Sequence, residues 1–282
     1  MGIGESKTDE GSKSWRDVMS VHSRLGTIVT LVALALLATF TLVWPAHKVM
    51  LAGWPFTLSG RTLLGAIVIG LACTGTDALL HSHPKVQSGQ VWRLWLRCIL
   101  PTAVTLAAWV LLARLPDLES RLMGIAATVA ALAVLMAAEY YAADSAARWR
   151  GAVLVFLQLA TVSVAALLYG AAYSSVLDVN AARAGAVVSA LMALRLLGED
   201  DLPVGRILWA SLGIGLLLGA VSWLLHSPAV SAVTYSLTLV IFLYVLVGLA
   251  RQFLWSRLRR GVVVEYLLVG LAALALLFFY TR

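Results

Sequence analysis

Thr74, Asp77 and His81 stand at i, i+3 and i+7 in the stretch TGTDALLHSHP, at the end of a long apolar run. On a helix these three share one face, and Asp77 and His81 are i, i+4 neighbours that can pair directly. Ionisable residues recur at the same relative depth further along the chain. Arg97 opens the next apolar run, Glu139 and Arg195 stand near the ends of two later ones, and Glu265 lies roughly 6 Å, about one helical turn, inside the last. Ionisable groups within apolar spans are costly and mark structural ion pairs or a functional site. Asp77, His81, Arg97, Glu139, Arg195 and Glu265 therefore form the candidate polar cluster. Its plainest chemistry is helix orientation: Asp77 with His81 or Arg97, Asp144 with Arg148, and Arg195 with Glu199. Glu265 would pair with an arginine of the preceding loop (Arg257, Arg259 or Arg260) or of another helix. A second chemistry is open to the acidic run Glu199-Asp200-Asp201, whose hard carboxylate oxygens suit magnesium.

The elements that must position these residues follow from composition. Of the 282 residues, 61% are hydrophobic and 12% charged, against about a quarter charged in a soluble domain. The apolar residues come in blocks of about 20, the length a helix needs to cross hydrocarbon, and the short alternating segments of a β-barrel are missing. The fold class is an all-α, polytopic transmembrane helical bundle. Nine spans are readable: 25–44, 63–81, 95–112, 122–141, 151–173, 181–197, 204–225, 230–251 and 262–280. The sixth is the weakest, because Arg183 and Arg195 bracket a short apolar core. Residues 1–24 form a polar tail and residues 25–282 the transmembrane domain.

With nine spans, fifteen of the 21 Lys and Arg fall on the side of the N-terminus, which makes that side cytoplasmic. Eight spans would scramble this bias. The protein is expected in the cell membrane, and its net charge of +7 answers to anionic headgroups and needs no nucleic acid. No cleavable signal is readable, and the Met-Gly-Ile-Gly-Glu-Ser start, although it fits a myristoylation pattern, adds little to a nine-span protein. Cys73 and Cys98 read as packing residues. The segment WPAHKVMLAGWPFTLSGR, residues 44–61, with two Trp-Pro pairs, reads as an interfacial or re-entrant connection (45–61) flanked by Trp44 and carrying Trp54 and Phe56 at headgroup depth. Pro101 is expected to kink the third span, and Gly215 and Gly219 make a GxxxG suited to close helix contact.

Several function classes are disfavoured. No buried lysine could carry a retinal Schiff base, no carboxylate stands at mid-membrane for a proton pump, and all five histidines lie at span ends or in loops, which argues against bis-histidine haem. No nucleotide-binding motif or soluble domain is present.

Three polar stretches, TGTDALLHSHP after the second span, AADSAARWR after the fourth and LGEDDLPVGR after the sixth, give the chain an outline that resembles the UbiA-type intramembrane prenyltransferases. That resemblance, in length, span number and motif order, implies an enzyme acting on an isoprenoid or lipid diphosphate at the cytoplasmic leaflet. Magnesium would then be held by Asp77, Glu199, Asp200 and Asp201, and phosphate by Lys85, Arg93, Arg148 and Arg150. The motifs depart from the family's: the first has one aspartate with histidine at position 81, and the second has its three acids adjacent. The residues name no reaction. The favoured expectation is a non-enzymatic accessory or scaffold subunit of a membrane complex, without cofactor, its partners being membrane lipids and other membrane subunits. The diphosphate-lipid enzyme and a small-molecule transporter are the alternatives.

Overall fold

An apolar run in hydrocarbon has no water to pair its peptide groups, so it must close its hydrogen bonds within itself as a helix. The computed structural model describes residues 6–42, 46–51, 54–82, 91–143, 148–175, 178–199, 202–225, 230–256 and 259–280. The helices are α1 (Ser6–Thr41), α2 (Gly60–His81), α3 (Val91–Leu112), α4 (Leu118–Ala142), α5 (Arg150–Ser175), α6 (Asp178–Leu197), α7 (Val204–Leu225), α8 (Ala232–Leu254) and α9 (Arg260–Tyr280). Among the described residues, eight of them are long and apolar enough to cross a membrane. The exception is α6, the span expected to be weakest. It has the length, but Asp178, Arg183 and Arg195 fall within its 20 residues. The polar tail is helical from Ser6 and runs unbroken into the first span. Once the span is helical, each added residue needs no new nucleus.

The first connection takes a form that the sequence reading did not specify. Ala46–Leu51 (β1) and Trp54–Ser59 (β2) pair antiparallel, with Ala46 opposite Ser59 and Leu51 opposite Trp54. A two-stranded ribbon leaves both outer edges with unpaired peptide groups, which hydrocarbon cannot satisfy. The expected interfacial placement is compatible with this hairpin, whose outer edges can pair with water there.

The chain divides into two compact units, residues 1–153 and 154–282. In the first, α1 packs on α2 and α4, and α3 packs on the same two, so four helices close into a ring. Val29, Leu79 and Met136 meet in its core, flanked by Ile28, Val129 and Tyr140. Helix α3 continues through Pro101, and Thr105 returns its hydroxyl to the Pro101 carbonyl at 2.8 Å. Thr39, Thr76 and Thr161 likewise donate to the carbonyl four residues earlier, which hides a polar group inside an apolar span.

In the second unit α6 lies against α7 and α8, α7 against α8, and α8 against α9. The α6–α7 contact is the closest. A Cβ at Gly215 would stand 2.7 Å from the Ala190 Cβ and 2.8 Å from the Ala186 carbonyl oxygen, and one at Gly219 2.7 Å from the Ala186 Cβ. The GxxxG thus fits a ladder of small residues on α6, the arrangement that lets two backbones approach where no hydrophobic effect drives them together. Gly219→Val should destabilise the protein by about 1–3 kcal/mol, because the wall it meets is partly backbone. Gly213→Ala, whose Cβ meets nothing within 4 Å, should stay within about 0.5 kcal/mol. Thermal unfolding in a mild detergent measures both.

Candidate functional site

The C-terminal end of α4 is held from a neighbouring helix. The last carbonyls of a helix have no intrahelical donor and carry partial negative charge. Arg97, near the start of α3, gives them a guanidinium: one Nη donates to the Glu139 carbonyl at 2.9 Å and the other to the Ala142 carbonyl at 3.3 Å. Glu139 itself is 1% exposed. Cys73 on α2 and Cys98 on α3 are close enough to influence one another, and Asp77 and Glu139 lie close enough to act electrostatically on Cys98. Both cysteines are free thiols, Cys98 buried and Cys73 partly so. The expected Asp77–His81 pair is present, with Nδ1 3.2 Å from Oδ1, but the two side chains are 42% and 48% exposed. Four members of the candidate cluster, Asp77, His81, Arg97 and Glu139, thus share one end of the first unit.

Arg195 and Glu265 belong to the second unit. Arg195 donates to Glu199 Oε1 at 2.9 Å, and the pair is nearly buried, at 3% and 12% exposed. Glu199 Oε2 also accepts from the Gln158 side-chain amide of α5 at 3.0 Å. Beside it, Arg251 of α8 donates to the Leu196 carbonyl at 2.8 Å. The last turn of α6 is therefore capped as the last turn of α4 is, by an arginine from another helix. Glu265 differs from the rest. It is exposed on α9, and among the described residues no ion pair reaches it. The arginine expected to pair with it from Arg259 or Arg260 does not do so, because both stand at the very start of α9 with exposed side chains of their own.

The residues of the magnesium and phosphate alternative are only partly visible. Asp200, Asp201, Lys85, Asp144 and Arg257, and the side chain of Arg93, lie outside the described residues. Arg148 is exposed just before α5, and Arg150 is its first residue. Asp77 and Glu199 belong to different units. Among the described residues no group of three or more His, Cys, Asp or Glu is placed to hold a metal ion.

Sequence reasoning passed over a second polar assembly, made of hydroxyls. Tyr169 of α5 pairs with Ser189 of α6 at 2.7 Å, and Ser189 donates on to the Gly185 carbonyl. Ser222 of α7 pairs with Tyr235 of α8, and Tyr173 of α5 donates to the Val230 carbonyl. The Tyr173 and Tyr235 rings lie 4.8 Å apart. Buried hydroxyls with partners on other helices join helices in an apolar medium. A search for charge alone cannot find them. The available signal was Tyr169 and Tyr173 one turn apart, with Ser and Tyr on the spans that follow.

These observations define a multi-pass helical membrane protein whose charged residues cap and tie helices. The chain belongs to the family described as protein of unknown function (DUF5656), whose model matches residues 43–280, from the hairpin through α9. No curated protein and no solved structure matches it.

Arg97→Ala should cost about 3 kcal/mol, since two charge-assisted bonds to helix-end carbonyls vanish together. Arg97→Lys should recover only part of this, because an ammonium cannot fork. His81→Ala should change stability by less than about 0.5 kcal/mol, its ion pair being solvent-screened. Glu199→Ala, which removes the carboxylate that faces the buried Arg195, should cost about 3–5 kcal/mol, and adding Arg195→Met should restore most of the loss. Chemical unfolding of the four single variants and the double variant separates these outcomes.

Proposed function

We propose that this multi-pass protein is a non-enzymatic accessory or scaffold subunit of a cell-membrane complex, and that α9 is the helix it offers to its partner. The carrying observation is the state of α9. Only 6% of its apolar stretch is buried, against 22% to 44% for the other seven spans. It is fastened to α8, where Tyr266 fits over Gly248 and Val245 meets Gly270. The face carrying Glu265, Leu268 and Leu271 is exposed.

Exposed leucine is at home in lipid, but an exposed carboxylate about two turns or less from the helix start is not. A partner helix bearing a cation or a hydrogen-bond donor would satisfy it. The other charged residues support the same reading. Arg97, Arg195 and Arg251 are engaged within the chain in roles that hold helices together. The distribution of basic residues supports a cytoplasmic N-terminus.

Native mass spectrometry of the protein extracted from its own membrane tests this. A stoichiometric membrane polypeptide is expected on the wild-type chain, and Glu265→Lys should weaken its retention by about tenfold, since one interhelical polar contact contributes up to about 1.7 kcal/mol. The purified variant should unfold at the wild-type temperature, because Glu265 is exposed and no ion pair holds it among the described residues. A wild-type chain that carries no partner even after cross-linking in the membrane, or a partner indifferent to Glu265→Lys, would overturn the proposal.

A further inference from the structure

The side of α9 turned away from Glu265 helps to form an open groove. Val263 lines it, and Glu265, two residues on, is about 200° around the helix and faces elsewhere. The other walls are α7 and α8, and the cavity holds about 1060 Å³. Arg206, Ala210, Gly213 and Leu217 recur on α7 at i, i+4, i+7 and i+11, so one stripe of that helix forms the floor. The stripe runs about 16 Å from its charged end to its apolar end. Leu246 and Phe253 of α8 face it. At Gly213 the floor is open, for a Cβ there would meet nothing within 4 Å.

The two ends of the groove differ in chemistry. The deep end, at Leu217, is wholly apolar. Arg206 lines the mouth, and Arg259 and Arg260 precede the lining residue Val263 by four and three positions, about one turn; all three arginines are exposed and without an ion pair among the described residues. No described carboxylate lines the groove. Ser256, also at the mouth, holds φ at 53°, a left-handed conformation uncommon for a residue other than glycine. The nearby Arg251 is committed to the Leu196 carbonyl. The mouth is therefore cationic, and what it fronts is an open groove lined mainly by apolar side chains.

We infer that this groove binds one anionic phospholipid, with an acyl chain lying over Gly213 toward Leu217 and its phosphate at Arg206, Arg259 and Arg260. A free phosphate would engage the mouth and leave the apolar floor bare. A second copy of the chain would bring an apolar helix and, in the exposed Glu265, a single carboxylate set against three arginines. A phospholipid satisfies both ends at once, and an anionic headgroup gains from each arginine near the surface. The site is separate from the partner-facing surface proposed for Glu265, and either assignment can fail without the other.

The test is native mass spectrometry of the full chain, delipidated in detergent and then offered phosphatidylglycerol or phosphatidylcholine with identical acyl chains. One phosphatidylglycerol per chain should be retained, with a preference over phosphatidylcholine of about tenfold. Arg206→Gln combined with Arg260→Gln should erase the preference and leave weak binding of both lipids. Gly213→Trp, which fills the floor where space is open, should abolish retention of both. Thermal unfolding checks that it keeps its fold, and Gly213→Leu serves if it does not. Equal retention of the two lipids by the wild-type chain would overturn the inference. So would lipid binding indifferent to a filled floor, inorganic phosphate competing as well as the lipid, or a dimer that Gly213→Trp splits.

Discussion

A helix end inside a membrane must find donors for its last carbonyls, and where water is scarce only the protein can supply them. Both units of this protein meet that demand in the same way. Arg97 reaches from α3 to the end of α4, and Arg251 reaches from α8 to the end of α6. The guanidinium suits the task because it offers several donors in a fixed plane and stays charged in any surroundings. Each such contact joins two helices at their ends, where ring packing is weakest, and fixes how far one can slide along the other. The buried Arg195–Glu199 pair, tied through Gln158 to α5, extends the same anchoring to a third helix.

At the opposite end of the second unit the task falls to hydroxyls. Tyr169, Ser189, Ser222 and Tyr235 link α5 to α6 and α7 to α8 without a formal charge. The difference follows from what each kind of group can tolerate. A hydroxyl buried in an apolar interior loses little once it has one good partner, whereas a charge needs a counter-charge or several donors. Buried charge among the described residues of the second unit is therefore kept to the end where Arg195 and Glu199 meet, and neutral polar groups serve where apolar packing surrounds them.

Much of this was legible from the residues. Span boundaries came within a few positions because hydrocarbon thickness dictates helix length, and the weakness of α6 could be read from Arg183 and Arg195. The Asp77–His81 and Arg195–Glu199 pairs follow from i, i+4 spacing alone, which is local information. The arginine caps are contacts between helices far apart in sequence, 42 residues in the case of Arg97 and Glu139, and no periodicity announces them. The hairpin of β1 and β2 was hidden by the Trp-Pro pairs at 44–45 and 54–55, which read as broken apolar chain, since strand pairing depends on a partner and not on a local signal. Glu265 stood out in the sequence as a carboxylate inside an apolar run, but its exposure could be seen only once α9 was placed on α8.

The ladder of small residues between α6 and α7 bears on how the chain is made as well as on how it stands. During synthesis α6 leaves the ribosome first, carrying Asp178, Arg183 and Arg195 on 20 residues, too polar a segment to partition into lipid on its own account. Helix α7 follows within a few residues, strongly apolar, and presents Gly215 and Gly219 to the alanines of α6. The two are therefore suited to enter the bilayer as one hairpin, the second drawing in the first. A chain in which that pairing failed would leave α6 outside, and every later segment would cross in the opposite sense, with its arginines delivered to the wrong leaflet.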